Sequence, residues 1–196
     1  MGQYYKIAVN AGDGNVRYFI PTFRKLTRHS VFGGDVTERI GQMIHGKHSY
    51  VAWIGDYATD EELTAITHGA ISKKKHDRAI GCSWPKAKAD FKMEEKYLVN
   101  HTKKMFIDML AYRGTMDAIP AEEVYSPLPM LTAIGNGRGG GDYCAEGEAH
   151  LPSENLVGTW AWDEISVEDT QPKGYDSFLP LFFLPVNKAD RKEVAA

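Results

Sequence analysis

Apolar and polar residues alternate from the start of the chain. Tyr5, Ile7 and Val9 fall on one side and Tyr4, Lys6 and Ala8 on the other, the two-residue period of a strand. The run Ala11-Gly12-Asp13-Gly14-Asn15 supplies turn residues, and Val16, Tyr18 and Ile20 resume the alternation, which predicts a β-hairpin. Next, Asp35 and Glu38 stand at capping-box spacing. Val36, Ile40, Met43 and Ile44 share one helical face and Gly46 is placed to end it, so a short amphipathic helix is expected. The apolar, β-branched and aromatic stretch Tyr50–Ile54 reads as a buried strand closing at Gly55-Asp56. A second capping-box pair, Thr59 and Glu62, predicts a helix with Leu63, Ile66 and Ala70 facing inward, running out in Lys73-Lys74-Lys75.

Farther on the pattern is less decisive. Tyr97–Asn100 and Met105–Met109 flank a polar tetrapeptide and suit a hairpin, yet Leu98, Thr102, Met105 and Met109 would also share one side of a helix. Pro120, Pro127 and Pro129 are expected to break the chain, and Val157–Val167 carries a strand pattern around Trp160 and Trp162. Hairpin patterns outnumber strand-helix-strand units. The expectation is therefore a single α+β domain over residues 1–186, a mostly antiparallel sheet with two or three short helices, followed by a polar, frayed tail at 187–196.

Composition sharpens this in three ways. With 196 residues, 43% hydrophobic and 11% aromatic, the chain has material for one core and too many aromatics for disorder. Its formal charge of -3 excludes a global cationic field, so no sequence-specific nucleic-acid partner is expected. The near-neutral total hides polarity, however. Residues 73–92 carry seven Lys/Arg and two Asp, a local +5, while residues 142–196 carry four Lys/Arg and eleven Asp/Glu, a local -7. The basic stretch reads either as a solvated loop or as an electrostatic funnel for an anion. Cys82 and Cys144 alone give no disulfide framework and no cysteine zinc site. No apolar run approaches a membrane span and the N-terminal residues lack a secretory pattern, so a cytoplasmic protein without a membrane partner is expected.

The most unusual stretch is Gly135-Asn136-Gly137-Arg138-Gly139-Gly140-Gly141-Asp142-Tyr143, whose glycines permit positive φ and close backbone approach to a ligand. Neither a dinucleotide fold nor a P-loop fits: no apolar-periodic helix follows, and no Lys-Ser or Lys-Thr pair does. Arg138 among backbone amides suits a phosphate or carboxylate, and Asp142 suits ribose hydroxyls. Trp53-Ile54-Gly55-Asp56-Tyr57 ends a strand in a carboxylate and a phenol, where clefts open. The plainer alternatives are a surface loop whose glycines serve geometry alone, an Asx cap at Asp56, and Trp53 as core. Seven histidines show no strong metal spacing, His45 and His48 included, and no metal or cofactor is expected.

The opening Met1–Lys6, the segment 53–58, the run 127–133 leading into the Gly-rich stretch, and Val157–Ala161 with Asp163 resemble blocks of a family of uncharacterised bacterial and bacteriophage proteins. The resemblance implies a phage or prokaryotic setting and carries no mechanism. Together these readings favour a protein that captures an anionic, phosphorylated, nucleotide-like small molecule. Gly137, Arg138, Gly139 and Gly140 would hold phosphates, Asp56 and Asp142 hydroxyls, and the rings of Trp53, Tyr57, Tyr143 and Trp160 a base. In a phage setting the ligand would be a host immune signal. An enzyme on the same ligands, a phosphodiesterase or glycosyl-bond hydrolase, and a protein-binding inhibitor of a host factor are the alternatives, and a homo-oligomer stays open.

Overall fold

The alternating N-terminal segment folds as a hairpin: β1 (Tyr5–Asn10) pairs antiparallel with β2 (Arg17–Phe19), Ile7 opposite Phe19. A computed structural model describes residues 4–22, 25–116, 124–135 and 156–180. Within them one eight-stranded sheet runs in the order β2-β1-β3-β7-β4-β5-β8, with β6 alongside β3. The remaining strands are β3 (Ser49–Gly55), β4 (Tyr97–Asn100), β5 (Met105–Asp108), β6 (Ala133–Ile134), β7 (Glu164–Glu168) and β8 (Asp176–Ser177). Most pairings are antiparallel; β3 with β6 and β5 with β8 are parallel. The α+β class and the mostly antiparallel sheet agree with the sequence pattern. The tail at 187–196 lies outside the described residues.

The central strand is β3. It pairs along its length with β1, from Tyr5 opposite Gly55 to Asn10 opposite Tyr50, and on its other edge with β7 at its start and β6 at its end. Its period-two alternation divides two cores. Val51 and Trp53 enter the larger cluster with Tyr5, Ile7 and Val9, while Ala52 and Ile54 enter the smaller one with Ala8. The larger is closed by Ile40 and Ile44 of α2 (Asp35–Ile44), Met109 and Tyr112 of α5 (Met109–Thr115), and Leu128 and Leu131 of α6 (Pro127–Leu131). The smaller is closed by Leu63 of α3 (Asp60–Ile66), Ile71 and Trp162. Two further helices are short, α1 (Leu26–His29) and α4 (Lys73–Arg78). No described helix is long and apolar enough to cross a membrane.

Several local expectations are corrected. The Asp35/Glu38 capping box does not form: Gly34 is the N-cap, Asp35 pairs with Arg39 at 2.7 Å, and Glu38 Oε2 accepts the amide of Met93 at 3.0 Å. A tertiary partner has taken the carboxylate that the local motif would use. The helix opened by Thr59 stops at Ile66, because the Thr67 hydroxyl bonds the Leu63 carbonyl at 2.6 Å and accepts the Ile71 amide at 3.0 Å, and positive φ at His68 and Gly69 reverses the chain. Lys73-Lys74-Lys75 therefore opens a separate helix, and Ala70 is exposed rather than inward. Pro127 and Pro129 begin a helix rather than break the chain, since first-turn amides have no intrahelical acceptor to lose. The strand expected from Val157 starts only at Glu164. Trp160 and Trp162 sit in turns that send one indole into each core. The ambiguous 97–109 segment is the hairpin β4–β5, and Asp108, whose carboxylate accepts the amides of Leu110 and Ala111 at 3.0 Å, caps α5 directly behind it.

Trp53, with 0% exposure, anchors the larger core from the middle of β3. Replacing it by alanine is expected to lower the unfolding free energy by about 3–5 kcal/mol, read from urea denaturation with the slope unchanged.

Candidate functional site

Parallel pairing sets Trp53 opposite Ala133 and Ile54 opposite Ile134, so β3 and β6 end side by side at Gly55 and Gly135. Beyond Gly55 the chain exposes Asp56 and Tyr57, buries Ala58, and caps α3 with Thr59. Here the second capping box does form. The Glu62 amide donates to Thr59 Oγ1 at 3.1 Å and the Thr59 amide to Glu62 Oε2 at 3.4 Å. The other carboxylate oxygen of Glu62, Oε1, accepts the amide of Gly135 at 3.0 Å. One side chain thus fastens the helix cap to the first residue of the Gly-rich stretch. Gly135 has φ +74°, and a Cβ there would lie 2.8 Å from the backbone of Ala58. Only glycine lets the two strand ends approach this closely.

The sequence candidates divide sharply. Asp56 and Tyr57 lie at this strand end, next to Gly135. Gly137, Arg138, Gly139, Gly140, Asp142 and Tyr143 lie outside the described residues. Trp53 and Trp160, expected to stack on a base, are 0% and 1% exposed and pack in the larger core. Each indole is spent on holding the sheet. The exposed rings at the strand end are those of Tyr57, at 38%, and Tyr4, at 49%. Asp56 is partly engaged: its Oδ1 accepts the amide of Tyr4 at 3.2 Å, and its own amide donates to the Tyr4 carbonyl at 2.9 Å. That is the capping geometry of a strand end, and it leaves Oδ2 without a partner among the described residues.

Basic side chains gather beside it. Lys73 Nζ donates to the Asp56 carbonyl at 2.6 Å and pairs with Asp77 at 2.9 Å, while the Lys73 amide donates to Asp60 Oδ1 at 2.6 Å. At the other end of α4, Lys6 Nζ reaches from β1 to the carbonyls of His76 and Asp77 at 2.8 and 3.1 Å. The basic stretch is therefore neither a plain loop nor a continuation of α3: its first six residues are a helix tied down at both ends. His76 faces inward from that helix, 2% exposed, with Nδ1 unpartnered. Burial, with the Lys6 and Lys73 charges next in weight, lowers its pKa to about 4.

A second polar constellation had no sequence signal, because its members lie far apart in the chain. The His48 and His101 rings stack at 4.0 Å and 12°. Ser166 Oγ donates to Glu168 at 2.6 Å, so His101 Nε2 donates to Ser166 at 2.8 Å and His101 Nδ1 accepts from the Tyr175 hydroxyl at 3.1 Å. Burial and the adjacent His48 hold His101 below the usual imidazole range. Ser166 is fully buried and His48 pairs with Glu164 at 3.0 Å, so the array pins the β4–β5 turn and the start of β3 to β7. Among the described residues no group of three or more His, Cys, Asp or Glu is arranged for a metal ion.

Compared with protein-family models, curated proteins and solved structures, the chain finds no match, so its chemistry is read from its own residues.

Two outcomes follow from this geometry. Gly135→Ala forces a Cβ onto Ala58 at a left-handed φ and is expected to cost about 2–4 kcal/mol in urea denaturation. The unfolded chain protonates His76 near 6.5, whereas the folded chain resists until about 4. Stability contributed by this residue is thus full above pH 6.5 and lost as pH falls toward 4, by about 2–3 kcal/mol. Urea denaturation at a series of pH values checks it: the wild type should lose more stability across that window than His76→Phe.

Proposed function

We propose that the protein captures a phosphorylated, nucleotide-like small molecule and holds it without turning it over. In this reading Gly137, Arg138, Gly139 and Gly140 bind phosphate oxygens, and Asp56 and Asp142 accept hydroxyl protons. Tyr57 and Tyr143 supply the rings, in place of the two buried tryptophans. One observation carries the reading. The Gly-rich stretch departs from the sheet at Gly135, against the same strand end that exposes Asp56 and Tyr57 and beside Lys73 of α4, whose ammonium donates to the Asp56 carbonyl. Backbone amides and a guanidinium placed there would meet the ligand together with that ammonium. In a bacteriophage setting such a protein would act in the host cytoplasm by withdrawing a nucleotide immune signal.

Isothermal titration against cyclic nucleotides and ADP-ribose derivatives tests this. At least one is expected to bind, and Arg138→Ala to weaken it by ~1.5 to 3 kcal/mol, about 10- to 100-fold. Absence of binding by demonstrably folded protein removes the proposal. Recovery of fragments instead of intact ligand after denaturation would replace capture by hydrolysis.

A further inference from the structure

Between the β1–β2 turn and α4 lies a groove of about 520 Å³, within the ~300–1,000 Å³ range of small-molecule sites. Its polar lining is Asn10, Asn15, Tyr18, Lys75 and Arg78, and its apolar wall is Val16, Ala70 and Ala79. Lys75 and Arg78 are three apart on the exposed face of α4, so both ends reach the same side. Neither has an ion-pair partner among the described residues. The one carboxylate of α4, Asp77, is held by Lys73, and the carboxylate of the turn, Asp13, is held by Arg17 and lines a different groove. Among the described residues the two cations therefore act on the groove without a local counter-charge.

The other wall is ordered in a complementary way. Asn10 Oδ1 accepts the amides of Gly12 and Gly14 at 3.2 Å each, which folds the turn and leaves the carboxamide NH₂ of Asn10 without an acceptor among the described residues. Tyr18 presents a half-buried ring, backed at 6.3 Å by the ring of His76. Because α4 is tied at both ends, Lys75 and Arg78 project from a fixed frame rather than a free loop, which limits the ordering cost of binding. Two unpaired cations, two carboxamides and a ring beside an apolar wall match a phosphate monoester attached to a flat heterocycle.

We infer that this groove is an anion-binding site for a phosphate monoester of about mononucleotide size, with phosphate on Lys75 and Arg78, the heterocycle against Tyr18 and Val16, and its polar edge on Asn10 and Asn15. The ligand contacts inferred here share no residue with the strand-end proposal.

Titration calorimetry with AMP, adenosine and inorganic phosphate as probes tests it. AMP binds, each fragment alone binds about tenfold or more weakly than AMP, and AMP affinity falls as salt rises. Lys75→Gln/Arg78→Gln weakens AMP binding about 10- to 100-fold. Lys74, Lys75 and Arg78 are exposed, and circular dichroism verifies the fold of each variant. Lys74→Gln removes an equal charge from the same helix outside the groove and retains wild-type affinity for AMP. The inference is overturned if AMP does not bind at millimolar concentration, if the double substitution leaves binding unchanged, or if Lys74→Gln weakens it equally.

Discussion

The burial of β3 on both faces is the constraint from which the rest of the structure follows. Its seven residues satisfy backbone hydrogen bonds toward β1 on one edge and toward β7 and β6 in turn on the other, while alternate side chains enter separate cores. Between those two partners the gap is filled by single bonds, Trp162 amide to Val51 carbonyl and Trp53 amide to Thr132 carbonyl, at 3.0 and 2.9 Å. A strand buried this fully cannot slip by one residue without exchanging Val51 and Trp53 for Ala52 and Ile54. The register then fixes which residues emerge at its end, and they are Gly55, Asp56 and Tyr57. The meeting of the strand end with Gly135 is a consequence of register rather than of any local motif.

Glu62 shows how a local signal becomes a long-range one. Its spacing from Thr59 is readable as a capping box, and the box forms; its second oxygen then holds an amide 73 residues away. The Asp35/Glu38 pair has the same spacing and ends differently, because Met93 competes for the carboxylate. Two patterns of the same spacing diverge according to which residue becomes the N-cap, Thr59 in one and Gly34 in the other, and which donor the tertiary structure brings to the glutamate, the alternatives being worth about 1 kcal/mol each.

What could be read from the sequence tracks the range of the interactions involved. The β1–β2 hairpin, α2 and β3 were legible because their periodicity is local and their turns are built from Gly, Asn and Asp. The parallel pairing of β6 with β3 was not, since two residues carry no period and the partner is about eighty positions distant. From the sequence Trp53 reads as a stacking ring or as core and Trp160 as a stacking ring, and only burial separates the two roles. The His48–His101 stack draws on residues from four separate segments and had no spacing to betray it. The basic stretch was visible as a charge imbalance, but the direction in which its cations point depends on a helix that propensity alone would not hold.

That helix, α4, links stability to electrostatics. Six residues are too few for a helix to persist in water, and three consecutive lysines in the first turn oppose its dipole. What holds it is tertiary: Ser72 caps it, Asp60 binds the Lys73 amide, the Lys6 ammonium neutralises the carbonyls at its end, and His76 is driven inward as a neutral ring. Each tie also sorts the charges, turning Lys73 toward Asp56 and Asp77 while Lys75 and Arg78 remain on the opposite, solvent-facing side. Proton uptake by His76 would put a charge under a helix whose surroundings are already cationic, so the burial that places the two free cations also limits the pH range over which they stay placed.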